Sequence, residues 1–231
     1  MCFSAVASYG VAAVLLPAGG YCVAAAWRKD RRFLPLAAVP FLFGLQQLCE
    51  ARVWVGFGRE DGELMRVGSL GFLFFALAVW PVWVPLAVAV AEPRGRVRWA
   101  LAALAGCGGA FAWAYFAPVA DSGGRALNPA LVGHSIRYDF SGVPAANAAG
   151  WWVWPALYLV TVAGPFLLSS RTGLRPIGIG VVLLAAVSYA LFAHASASVW
   201  CFFAAILSVD LVYIIGRLPA RSTSGSIVAS Q

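Results

Sequence analysis

The residues of this chain that could do chemistry are few, and their placement tells more than their number. Among 231 residues there are two histidines, five cysteines and nine acids. Gln46, Gln47 and Glu50 stand together, and Gln46 and Glu50, four apart, share a face if the segment is helical. His194 and Cys201 flank Ala195-Ser196-Ala197-Ser198, His134 stands in a polar segment, and Cys2 lies near the start. Thiolate and imidazole are the ligands that zinc and copper favour. Cys2, His134, His194 and Cys201 are therefore a candidate set for zinc, copper or haem, with Glu50 as a further ligand or general base. No CxxC or HExxH spacing supports it. Two plainer readings compete: a Cys2–Cys201 disulfide in an oxidising compartment, and a His194 that only hydrogen-bonds a carbonyl at a helix end. Cys22, Cys49 and Cys107 fall in apolar runs and read as small buried hydrophobes.

The elements that must position these groups are apolar. Of the residues 62% are hydrophobic and 11% charged, where soluble domains carry about a quarter charged. A water-exposed fold has nowhere to put so much apolar surface; a lipid bilayer does. A span takes about 20 residues at 1.5 Å each, and seven runs qualify, at 5–27, 33–55, 67–91, 99–118, 151–169, 177–195 and 197–216. The last two abut, and as one straight helix they would measure about 60 Å, twice a hydrocarbon core. The chain must turn between them, at 195–198. The expected fold class is all-α: a polytopic membrane bundle of about seven helices over 1–216, with a polar, disordered tail at 217–231.

The basic residues set the expected orientation. Arg28, Lys29, Arg31 and Arg32, then Arg94, Arg96 and Arg98, then Arg171 and Arg175, then Arg217 and Arg221 all fall in alternate connections and the tail. These are the cytoplasmic side by the positive-inside rule, which puts the N-terminus out and the C-terminus in. The first apolar run has its basic cluster behind it rather than before it, the reverse of a secretory signal. The formal net charge of +7 is explained by these loop clusters facing an anionic leaflet, and nucleic acid is not an expected partner. The long connection 119–150 lies outside on this reading; in it His134-Ser135-Ile136-Arg137-Tyr138-Asp139-Phe140 alternates polar and apolar, as a short strand or ordered cap would.

Polar groups inside spans are expensive in lipid and mark function or pairing. By topology Glu50, His134, His194, Cys2 and Cys201 share the outer layer, with Gln46 and Gln47 alongside. Asp210 sits instead about 9 Å from the inner end of the last span, where an acid pairs inside the bundle or lines an ion path. A retinal pigment is excluded, because the only lysine, Lys29, lies in a loop. A three-histidine zinc hydrolase is excluded by a total of two histidines.

Four segments carry a resemblance: Met1-Cys2-Phe3-Ser4 with Ala7-Ser8, PFLFGLQQLCEARVW at 40–54, GHSIRYDF at 133–140 and SVWCFFAAILS at 198–208. They resemble an uncharacterised family of bacterial, mainly actinobacterial, integral membrane proteins whose members begin MCFS. The resemblance implies a multi-pass protein of the bacterial plasma membrane, with motif positions at Cys2, Ser4, Gln46, Gln47, Glu50, His134, His194 and Cys201; it implies no activity. Three functions stay open. One is a membrane-embedded redox or hydrolytic enzyme with a metal in an outward-facing polar pocket. Another is a transporter or receptor for a small solute or ion, with Gln46, Glu50 and Asp210 along its path. The last is a non-catalytic assembly partner.

Overall fold

A computed structural model describes residues 4–93, 95–125, 127–139, 153–192 and 196–219. Cys2, His194 and the tail beyond 219 lie outside the described residues. Among the described residues the fold is all-α but for one small hairpin, with seven helical passes, six of them long and apolar enough to cross a membrane. The first is α1 (Ala5–Lys29), capped by Ser4, whose hydroxyl accepts from Ala7 N at 3.2 Å. Asp30 ends it and caps a 3-10 turn at Arg31–Phe33 by accepting from Arg32 N at 3.0 Å. The second pass follows through α2 (Leu34–Ala37) and α3 (Val39–Arg59).

A tight turn then reverses the chain. Glu60 takes the left-handed conformation (φ 54°) and its N–H reaches back to the carbonyls of Gly56 and Phe57. Asp61 caps the next helix by accepting from Leu64 N at 3.0 Å. The third pass therefore begins at Gly62, five residues before the expected 67, because the Asp61 cap and the Glu63–Arg66 ion pair make a polar first turn helical. It runs as α4 (Gly62–Leu73), a π-helical segment (Phe74–Val79) and α5 (Trp80–Ala91). Pro81, which has no N–H to give the ladder, stands two residues past the wide turn.

The remaining passes are α6 (Arg96–Asp121), α7 (Val153–Leu168), α8 (Arg175–Phe192), and α9 (Ser196–Leu207) with α10 (Val209–Gly216). With 16 residues α7 is the short one, about 24 Å at helical rise. The expected division of the last apolar stretch holds, since α8 and α9 are separate helices packed on each other. Between α6 and α7, β1 (Ala130–Val132) pairs antiparallel with β2 (Ser135–Arg137), in the register Ala130↔Arg137, Leu131↔Ile136 and Val132↔Ser135. The expected strand at 134–140 is thus one arm of a hairpin turned at Gly133-His134, with Gly133 at φ 61°.

Close backbone approach, not large side chains, seals the main crossings. A Cβ on Gly19 would fall 2.4 Å from Phe41 N, and one on Gly108 only 1.9 Å from Pro81 O, so α1–α3 and α5–α6 meet at small residues as membrane helices do. Much apolar surface stays outside: Val6, Trp99 and Trp113 are all more than three-quarters exposed. That distribution suits lipid rather than water. The ends of the bundle differ. One gathers Arg28 to Arg32, Arg96, Arg98, Arg171 and Arg175 (the basic end); the other holds the Glu60 turn and the hairpin (the hairpin end). At the basic end Lys29 Nζ donates to the Gly216 carbonyl, tying the end of α10 to α1.

Candidate functional site

The centre of the site is one turn of α3. Gln46, Gln47 and Glu50 are all buried, on a helix whose small residues let α1 and α4 approach it closely. Glu50 Oε2 accepts from Gln47 Nε2 at 3.2 Å, and Oε1 accepts from the hydroxyl of Ser198 on α9. Gln46 Oε1 accepts from Trp80 Nε1 at 2.8 Å, and the Trp80 ring stacks on Phe43 at 3.9 Å. Trp80 stands directly after the π-helical segment, which sets where that indole enters the bundle.

The hairpin closes this cluster. Ile136 is fully buried and β2 touches α9. Just beyond β2, Tyr138 stacks on Phe72 at 5.1 Å, with its buried hydroxyl beside Ser69 and within electrostatic reach of Glu50, Cys49 and Cys201. Burial, then the Glu50 charge, holds the Tyr138 phenol well above its ordinary range, so it remains a neutral O–H group. The buried Cys201 side chain neighbours both Gln46 and Glu50.

Several polar atoms of this cluster have no hydrogen-bond partner: Gln46 Nε2, Gln47 Oε1, Ser69 Oγ, Tyr138 OH and, next along α9, Trp200 Nε1. Ser69 and Tyr138 face one another but make no bond of good geometry. Buried polar atoms are paired in the great majority of cases, so several orphans around one carboxylate mark a place for water or a ligand. Directly below, an apolar cavity of about 60 Å³ lies among α3, α5, α7, α8, α9 and α10, bounded by Phe43, Trp80, Tyr158, Val162, Trp200 and Cys201 among others. Trp80 and Cys201 belong both to the polar cluster and to the cavity wall, so the two adjoin.

The sequence-derived candidates divide accordingly. Glu50, Gln46, Gln47 and Cys201 come together. His134 does not join them: it is exposed at the tip of the hairpin, whereas Cys201 is buried. Cys2 and His194 lie outside the described residues. Among the described residues no three His, Cys, Asp or Glu side chains are gathered as metal ligands, and no disulfide joins described cysteines. Asp210 is exposed on α10, whose buried residues are Leu211 and Ile215, and takes no part in the Glu50 cluster. Of the three span cysteines read as buried, Cys22 is buried and Cys49 half-buried; Cys107 is exposed, because α6 turns it away from its neighbours. Ser69, Trp80 and Tyr138 are site residues that the sequence reading missed. Spacing signals none of them, for each joins the cluster from a different element.

A second buried acid was also missed. Glu92, at the end of α5, accepts from the hydroxyls of Ser169 and Ser170 and from Ser170 N at 3.0 Å. Arg171 Nε donates to Ala91 O at 2.7 Å, and its guanidinium covers the Phe33 ring at 4.6 Å.

Six long apolar passes, a shorter seventh and a polar centre buried among them define a multi-span membrane protein. The chain belongs to the Family of unknown function (DUF6629), whose profile matches residues 1–225. No curated protein and no solved structure matches it.

Proposed function

We propose that this chain binds a small molecule inside the membrane, as a transporter or receptor does, at a chamber centred on Glu50 and covered by the hairpin. The observation that carries the reading is the set of partnerless polar atoms around the carboxylate: Gln46 Nε2, Gln47 Oε1, Ser69 Oγ and Tyr138 OH. Free donors and free acceptors both occur there, so the cluster can meet a polar group of either kind. With the basic end cytoplasmic and the N-terminus outside, the chamber lies in the outer half of a plasma membrane and the hairpin faces outward. A metal held by Cys2, His134, His194 and Cys201 draws no support from the two described members, one exposed and one buried.

The test is thermal unfolding of the protein in lipid nanodiscs against a panel of small alcohols, amides, amines and carboxylates, for the parent, Glu50→Gln and Tyr138→Phe. A ligand that binds only the folded state raises Tm. At least one compound is expected to stabilise the parent and lose that effect in both variants. A panel whose shifts are the same in all three proteins would count against the chamber as a binding site.

A further inference from the structure

We infer that the ligand is a small lipophilic amine, its ammonium group at Glu50 and a short apolar group in the adjoining cavity; this rests on the ligand-binding reading above. The charge of the head follows from what surrounds the carboxylate. Glu50 is 2% exposed, and its partners are a serine hydroxyl and a glutamine amide, both neutral. Among the described residues the ion pairs are Arg32–Asp30 and Arg66–Glu63, neither of which involves it. Arg52, the nearest basic residue in sequence, is exposed and lies by Cys49. Intramembrane acids pair with a cation or a backbone group, and Glu50 has neither from its own chain among the described residues. An ammonium ion supplies the missing charge. It also brings N–H donors to the free acceptors at hand, Gln47 Oε1, Ser69 Oγ and the Tyr138 oxygen. An anionic head would meet the carboxylate with nothing to offset it.

The rest of the ligand follows from the cavity. Its walls are almost wholly apolar and carry the rings of Phe43, Trp80, Tyr158 and Trp200. Trp80 forms the junction, with its indole N–H on Gln46 and its ring on Phe43, so aromatic wall runs from the polar cluster into the cavity. The volume of about 60 Å³ is some four times what one water needs, which suits an apolar group of a few carbons and not a long lipid tail.

A matched series tests head and tail separately. Butylamine, 1-butanol and butyrate share one apolar group and differ in charge, and methylamine keeps the head alone. Binding is measured as the Tm shift in nanodiscs for the parent, Glu50→Gln and Val162→Phe, the last filling the cavity from a wall residue that makes no polar contact with Glu50. Butylamine is expected to bind the parent best, and Glu50→Gln to weaken it by about tenfold or more. Val162→Phe should abolish the advantage of butylamine over methylamine while leaving the methylamine shift in place. If 1-butanol equals butylamine in the parent, the head site is not cationic and the inference falls, with the chamber still a binding site. If the amines bind but Val162→Phe leaves their difference intact, the cavity does not take the tail and the inference falls. If no amine shifts the parent while another panel compound does, in a Glu50-dependent way, the amine class is wrong and the chamber survives. If nothing shifts the parent, the binding reading fails and this inference with it.

Discussion

Two buried glutamates divide this molecule between them. Glu92, at the basic end, is 3% exposed and Glu50, toward the hairpin end, 2%, so burial does not distinguish them. Their surroundings do. Glu92 accepts from two serine hydroxyls and a backbone N–H, all of the Ser169–Ser170 segment, and that segment's Arg171 clamps the neighbouring carbonyl of Ala91. Glu50 also has two neutral partners, but the atoms around them are left over. The same residue type thus makes a closed latch in one place and, in the other, the centre of a polar cluster with hydrogen-bonding capacity to spare. A buried acid is by itself no sign of function; the unfilled hydrogen-bonding capacity around it is.

If that contrast is sound, substitution should separate stability from binding. The largest effect is expected at the latch. Glu92→Ala leaves two hydroxyls and an N–H without their acceptor and should lower stability by about 2–4 kcal/mol, read as a fall in Tm with no change in ligand selectivity. Glu50→Gln should act the other way, changing stability by less than about 1 kcal/mol while removing ligand-dependent stabilisation. The reason is local: the new side chain can still accept from Ser198, and Gln47 can turn its amide to present the unused Oε1 to the new N–H donors. Equal losses of Tm in the two variants would erase the distinction between latch and chamber.

A smaller effect sharpens the same point within the chamber. Tyr138→Phe keeps the stack on Phe72 and deletes a buried hydroxyl that has no partner. It should leave stability unchanged or raise it by a few tenths to about 1 kcal/mol, and should still weaken ligand binding. A clear loss of stability without ligand would mean that the hydroxyl is already satisfied, and the chamber would be smaller than argued.

How much of this was legible in the sequence follows from the range of the interactions. The passes were readable because lipid imposes a length on every apolar run, and the division of α8 from α9 because about 60 Å of helix does not fit, although 196–198 of the expected turn are helical. The start of the third pass was not, since Glu63 and Arg66 look like loop residues until Asp61 is seen to cap them. Gln46, Gln47 and Glu50 stood out as polar residues in an apolar run. Their partners did not: Ser198 comes from 148 residues further along the chain, and Trp80 is aimed by a π-helical turn that has no simple sequence signature. Glu92 was hidden for a related reason. In AEPRGR it reads as one acid in a basic loop, and the serines that bury it arrive 77 residues later.

The smallest effect expected is a pH response at the basic end, and it probes the difference between the two ends from outside the membrane. Burial pushes the Asp30 carboxyl up, but the hydrogen bonds and charge of Arg32, with the charge of Arg171, outweigh it and hold the group below its usual range. A carboxyl depressed in the folded state binds its proton more readily when unfolded, so it contributes stability above the unfolded pKa of about 3.9 and loses it as pH falls through the lower folded value. The Arg32 side of the pair is well exposed, so screening keeps the contribution small. Asp30→Asn should therefore lower Tm slightly at neutral pH, and the difference from the parent should close below about pH 4. Because Asp30 caps the turn that leads to Phe33, beneath Arg171, the same substitution made on Glu92→Ala should cost less than it does alone if the cap and the latch hold one structure. Strict additivity would make them independent anchors of the basic end.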